Sequence, residues 1–173
     1  MNSVGIDVSK GRSTVAVMRP FGEVVISPFE VRHTDSELSA LARLLKSLDG
    51  ETRVVMEATG NYHTPVAKIL HDARLYVSVV HAKLIHGYGN NDLRRVKTDR
   101  KDAVKLANYG LNRRLTLPRY FPEEDTRLLL KNCYRQYKQY SKVQTVLKNN
   151  LISLLDTVFP NVNHLFSGST TPL

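Results

Sequence analysis

At 173 residues the chain has room for one well-buried domain and an appendage, but not for two large lobes. A hydrophobic content of 42% and a charged content of 24% are those of an ordinary globular protein, and no apolar run reaches membrane length. The formal charge of +9 points to an acidic partner, most simply a nucleic acid.

The charge is unevenly spread. Residues 1–82 hold nine basic and nine acidic side chains, whereas residues 83–119 hold ten basic and three acidic ones. Residues 120–126 contribute three acids, and residues 127–148 carry six basic groups and no acid. A polyanion held by the second half of the chain explains this segregation better than a generally solvated surface does. The first residues lack the basic-then-apolar pattern of a signal peptide. The one cysteine, Cys133, allows neither an internal disulfide nor a cysteine-based zinc site, and the six histidines show no metal-ligand spacing. A reducing, cytosolic setting is expected.

In chain order, the apolar runs "SVGIDV" (3–8), "STVAVM" (13–18) and "GEVVISPFEV" (22–31) predict three strands of an antiparallel meander. Pro28 marks the third as an edge strand or a bulge. A helix is predicted over 35–48, with Thr34 or Asp35 as its N-cap and Leu38, Leu41, Leu44, Leu45 and Leu48 at helical spacing. "TRVVME" (52–57) predicts a buried strand. Thr59 is placed to cap a helix over about 61–73, whose apolar face is Val66, Ile69, Leu70 and Ala73. "LYVSVV" (75–80) adds a strand, and "GYGNNDLRRVKT" (87–98) has almost nothing to bury and predicts a loop. A helix over Asp99–Asn112 follows, with Val104, Leu106, Ala107 and Leu111 expected to face inward. The order β-β-β-α-β-α-β-α describes an α/β domain with a mixed sheet and flanking helices.

Beyond Pro118 and Pro122, a long helix is predicted over about 123–156. On a heptad grid Leu130, Tyr137, Gln144 and Leu151 share one seam position, and Cys133, Tyr140, Leu147 and Leu154 the other. Arg127, Lys131, Arg135, Lys138 and Lys142 cluster on nearly the opposite side. A self-associating coiled coil is expected, the alternative being a helix folded back on its own domain. The expected division is a domain at 1–115, a linker at 116–125, the long helix at 126–158 and a tail at 159–173.

Asp7 ends the first strand, Glu57 ends the fourth, and Asp99 and Asp102 open the last domain helix, where residues three apart are neighbours. Strands of an α/β sheet end at one edge, where such folds place their sites. Four carboxylates gathered there would repel one another without a cation, and hard oxygen ligands suit Mg²⁺ or Mn²⁺. Each acid taken alone also fits a turn, a cap or a helix-dipole partner.

The ordered set "GIDVSK", "MEATGNYHTPVAKIL" and "KTDRKDAVKLANYG" resembles the DEDD-type insertion-sequence transposases. That family includes the Piv/MooV-like DNA invertases and the bridge-RNA-guided recombinases. The resemblance implies a RuvC-like domain of ribonuclease-H-like fold, with Asp7, Glu57, Asp99 and Asp102 as a catalytic, metal-binding tetrad using Mg²⁺ or Mn²⁺. It also implies a DNA partner and a structured guide RNA, and it extends through "LPRYFPEED" to about Pro160. Arg94, Arg95, Lys97, Arg100 and Lys101, with the basic face of the long helix, are the expected nucleic-acid contacts. Where the family commonly has Asn-Pro after the last strand, this chain has His81-Ala82. The family's nucleophilic serine belongs to a C-terminal domain, so the chain is expected to be an N-terminal portion or a truncated copy, and neither Ser167 nor Ser169 is given that role.

Two other readings compete. One is a non-catalytic nucleic-acid-binding and dimerisation module. The other is an actin-like or sugar-kinase ATPase, whose phosphate-binding hairpin "GIDVSKGRSTVAV" is similar to, although Ser9 and Lys10 replace the usual Gly-Thr pair.

Overall fold

Alternating apolar side chains build the centre of the fold. In β1 (Asn2–Ser9) Val4, Ile6 and Val8 are buried on one face, while Ser3, Gly5 and Asp7 occupy the other. The computed structural model describes residues 1–58, 60–88 and 98–159, and for His86 and Asp125 only the backbone. It divides into two units, Met1–Pro122 and Glu123–Leu173.

In the first unit β1 turns through Gly11, at φ 78°, into β2 (Arg12–Met18), and β2 leads to β3 (Val24–Arg32). These three strands pair antiparallel. Pro28 meets both expectations: β3 is an edge strand, and it bulges where Ile26 pairs with Val17 but Phe29 with Val15. Proline cannot donate to a ladder, so the edge and the bulge absorb its missing N–H. After α1 (Asp35–Lys46), β4 (Thr52–Glu57) pairs parallel to β1. After α2 (His63–Asp72), β5 (Tyr76–Val80) pairs parallel to β4. The sheet order is β3-β2-β1-β4-β5, a five-stranded mixed sheet with flanking helices.

Two clusters hold the layers together. On one face Val4, Ile6, Val54 and Met56 pack with Leu38, Leu41 and Leu45 of α1 and Val66, Ala67 and Leu70 of α2. The Thr34 hydroxyl caps α1 by accepting from the Glu37 amide. Leu44, expected inside, is exposed, and Ala42 takes an inward place. In α2, Ala67 is buried, and Ile69 and Ala73 are only partly so. The helix starts at His63 and has no side-chain cap from its N-cap residue, Tyr62. Thr59, expected to cap it, lies outside the described residues.

On the other face Val55 and Val80 pack with Leu106 and Tyr109 of α4 (Asp99–Asn112) and with Ile85 of a short helix, α3 (Ala82–His86). That helix occupies the His81-Ala82 position. The His81 ring accepts from the Lys83 amide and so caps α3 in place of a turn. The stretch after α4 is tied to the β5 edge. Tyr120 donates its amide hydrogen to the Val77 carbonyl at 2.7 Å, and the Tyr76 hydroxyl donates to the Leu117 carbonyl at 2.9 Å.

The second unit is α5 (Asp125–Val158), 34 residues and therefore roughly 50 Å long. Leu130, Tyr137, Tyr140, Leu147, Leu151 and Leu154 of the expected seam are all exposed. No helix among the described residues is long and apolar enough to cross a membrane.

Candidate metal and nucleic-acid site

The position of α4 follows from two glycines. A β-carbon on Gly5 would overlap the backbone of Ala103 and Ala107, and one on Gly110 would overlap Ser3 and Val55. The helix therefore lies directly on β1 and β4. Its buried stripe is Ala103, Leu106, Ala107 and Gly110, whereas Val104 and Leu111 are only half-buried, contrary to expectation. Small residues are selected inward because nothing larger fits at this separation. The Ser3 hydroxyl donates to the Ala107 carbonyl at 2.7 Å, fixing the helix along its own axis.

These contacts set the relative direction of the two elements. Gly110 meets Ser3, and Ala103 meets Gly5, so the start of α4 lies toward the end of β1. From Gly5 to Asp7 the strand advances ~7 Å. From Ala103 back to Asp99 the helix advances ~6 Å. Both acids thus reach the same end of the sheet.

Glu57 comes to that end from the neighbouring strand. Gly5 pairs with Val55 and Ile6 with Met56, so one further step sets Asp7 beside Glu57. Both follow the alternation of Gly5 and Val55, which places them on the α4 side, and both are half-buried. At the head of α4, the Thr98 hydroxyl accepts from the Lys101 amide, and the Thr98 carbonyl accepts from the Asp102 amide at 3.1 Å. This cap orders the turn that carries Asp99, exposed, and Asp102, half-buried. Among the described residues no three acidic, histidine or cysteine side chains form a ready-made ligand set. Strands and helix bring the four acids to one end of the sheet, then, without closing them into a chelate. An all-carboxylate donor set at such an end fits a hard divalent cation better than a soft one.

Of the expected nucleic-acid contacts, Arg100 and Lys101 are exposed on the first turn of α4, while Arg94, Arg95 and Lys97 lie outside the described residues. At the other end of the intervening segment, Tyr88 packs edge-on against Tyr109, with ring centres 5.2 Å apart. In the second unit Arg127, Lys131, Arg135, Lys138 and Lys142 are exposed. Lys131 pairs with Glu123, and its hydrogen bond holds that carboxyl below the usual carboxylate range. Lys138 lies over the Tyr134 ring at 5.6 Å.

Sequence reasoning missed the Thr98 cap and the small-residue stripe of α4. A threonine directly before two acids three apart is a capping signal. The glycine inside β1 was the available sign of a close backbone approach.

The described geometry can be set beside known proteins. A family model for DEDD transposases of the IS110 type, described as "Transposase", matches residues 4–160. The pilin gene-inverting protein of Moraxella bovis is 31% identical over 124 residues, covering 69% of this chain and 38% of that protein. The pilin gene-inverting protein of Moraxella lacunata gives the same figures. The chain thus spans about two fifths of the length of the curated relatives it matches. Among solved structures, T. thermophilus RuvC in complex with a Holliday junction substrate aligns with a TM-score of 0.49 at 12% identity, over 69% of this chain and 99% of that one. A second Thermus thermophilus RuvC structure gives 0.46 at 15%, over 69% and 100%. With a family match running through most of β1 and all of β4, α4 and α5, the chain belongs to the IS110-type DEDD transposase family.

Proposed function

We propose that Asp7, Glu57, Asp99 and Asp102 form the divalent-metal centre of a DNA recombinase that acts in cleavage and strand exchange, with Mg²⁺ or Mn²⁺ as the ion. The observation that carries this reading is the register of β1 and β4. It sets Asp7 beside Glu57 on the face covered by α4, whose first turn brings Asp99 and Asp102 to the same end, in a chain of a transposase family. When bound, the ion supplies Lewis-acid polarisation of a phosphodiester. Asp7 and Glu57 are the rigid pair, since each is carried by a hydrogen-bonded strand. Asp99 and Asp102 would add carboxylate oxygens from the helix, beside the phosphate oxygens of a bound strand.

DNA is the substrate, and a structured guide RNA is the second polyanion. Arg94, Arg95, Lys97, Arg100 and Lys101 hold phosphates next to the acids, and the basic face of α5 extends the grip. The chain associates with a second copy through the apolar seam of α5. Covalent strand exchange needs an activated nucleophile as well as a metal centre. A serine from a further domain fills that role, so a polypeptide of residues 1–173 alone binds metal and nucleic acid without exchanging strands.

Titration of Mn²⁺ into the wild-type chain and Asp7→Asn, followed by water proton relaxation, tests the assignment. The reading requires binding by the wild type and at least a tenfold loss in the variant, on the order of 1.4 kcal/mol. Equal binding by both proteins removes Asp7 from the site.

A further inference from the structure

The end of the sheet opposite the acids carries a second concentration of chemistry. Arg53 and Tyr76 stand at the start of β4 and β5, roughly 13 Å along the strand from Glu57. A cleft of about 380 Å³ opens there between the end of α1, the start of β4 and the entry to β5. Lys46, Arg74 and Arg119 line it, together with Tyr76. Its one carboxylate, Glu51, is held by Arg53 at 2.7 Å.

Two features show that these cations are placed rather than merely exposed. The Arg119 guanidinium lies over the Tyr76 ring at 5.7 Å and over the Phe121 ring at 5.9 Å. Arg53 lies over the same Tyr76 ring at 4.6 Å. Arg53 already donates to Glu51 and to the Arg114 carbonyl, whereas stacking fixes the Arg119 guanidinium plane without using its N–H donors and leaves a preorganised fork for a phosphate. The second feature is backbone strain. Arg74 has φ 67°, in the left-handed region that favours glycine. It follows α2 where a Schellman closure forms: the Leu75 amide donates to the Leu70 carbonyl at 3.1 Å, and the Arg74 amide to the His71 carbonyl at 2.8 Å. Glycine would close this turn with less strain, yet the position carries an arginine, and that residue lines the cleft.

We infer that this cleft is a second phosphodiester-binding site, which holds a stretch of nucleic-acid backbone away from the metal centre. The inference rests on the nucleic-acid-binding reading above and adds a contact on the opposite end of the same sheet. A strand or duplex gripped here is out of reach of the four acids, so the site positions nucleic acid that is not being cut.

The test uses the full chain, a short fluorescein-labelled DNA duplex and a labelled RNA strand of the same length, with anisotropy measured over a range of salt. The variants are Arg74→Gly with Arg119→Gln, and separately Lys46→Gln. Arg74→Gly alone is expected to melt no lower than wild type, because it relieves the strained backbone. The double variant is expected to bind several-fold more weakly, with the slope of log affinity against log salt reduced by about 1 to 2. Loss on only one of the two probes assigns the site to that nucleic acid. Unchanged affinity and slope on both probes, while Arg100→Gln with Lys101→Gln still weakens binding, overturns the second site and leaves the first intact. No binding of either probe by the wild type overturns both.

Discussion

Ser3 and Ala107, 104 residues apart in sequence, are joined by a buried hydrogen bond of 2.7 Å that seats α4 on the first strand. With Gly5 admitting the helix backbone and Gly110 admitting the Ser3 and Val55 side chains, this bond turns a local sequence pattern into a site. The first turn of α4 reaches the end of β1 only because the helix lies flat along it.

Gly5→Ala is therefore expected to do more than strain the core. The added methyl group overlaps the backbone of Ala103 and Ala107, which side-chain rotation cannot relieve. A loss of about 2 kcal/mol or more is expected in urea unfolding. Any folded population should bind Mn²⁺ less well than wild type, because α4 must lift. Wild-type stability in the variant would show that the close approach does not hold α4.

Much of the fold was legible in the sequence because strands with one repeating apolar pattern announce themselves. The segment 52–57 matches β4 residue for residue, and Pro28 named its own edge and bulge. The inward face of α4 was not legible. Its periodicity favours the large residues Val104 and Leu111, while the packing against Gly5 selects Ala103 and Gly110. That choice is a demand of the neighbouring strand, and no pattern within the helix contains it. The four acids were visible as strand ends and a helix start, but their common level depends on the β1–β4 register, a long-range pairing.

Charge reversal in the segment before α4 tests the proposed phosphate contacts. Arg94→Glu with Arg95→Glu should weaken binding of a labelled DNA duplex. It should also reduce the salt slope by about 2, since each phosphate contact contributes ~0.9. An unaltered slope would make these two residues bystanders.

The long helix gives a test of association. Leu147 is exposed and lies centrally in the expected seam. An apolar stripe of that length is stable in water only when covered. Sedimentation velocity should show wild type as a dimer or larger species and Leu147→Asp as a monomer. Monomers in both samples would rule out self-association through this seam.

His33 predicts a pH dependence of stability that is independent of the site. Burial pushes its imidazole below the usual 6.5, and its Nε2 pairs with the Ser13 hydroxyl at 2.8 Å. The unfolded chain therefore takes up this proton first as pH falls. Stability contributed by neutral His33 is complete above about pH 6.5 and is lost as pH drops through the lowered native value. Urea midpoints at pH 7.5 and pH 5.5 should separate more in wild type than in His33→Gln. Identical separations would mean that His33 titrates alike in both states.

The central claim, that four acids from two strands and one helix hold a single metal centre, is tested most directly by a crystal structure of the chain soaked in Mn²⁺, with anomalous scattering used to locate the ion. Density among Asp7, Glu57, Asp99 and Asp102 at the end of β1 and β4, lost in crystals of Asp102→Ala, is the predicted result. Ordered Mn²⁺ elsewhere on the chain, with none at that end of the sheet, would contradict it.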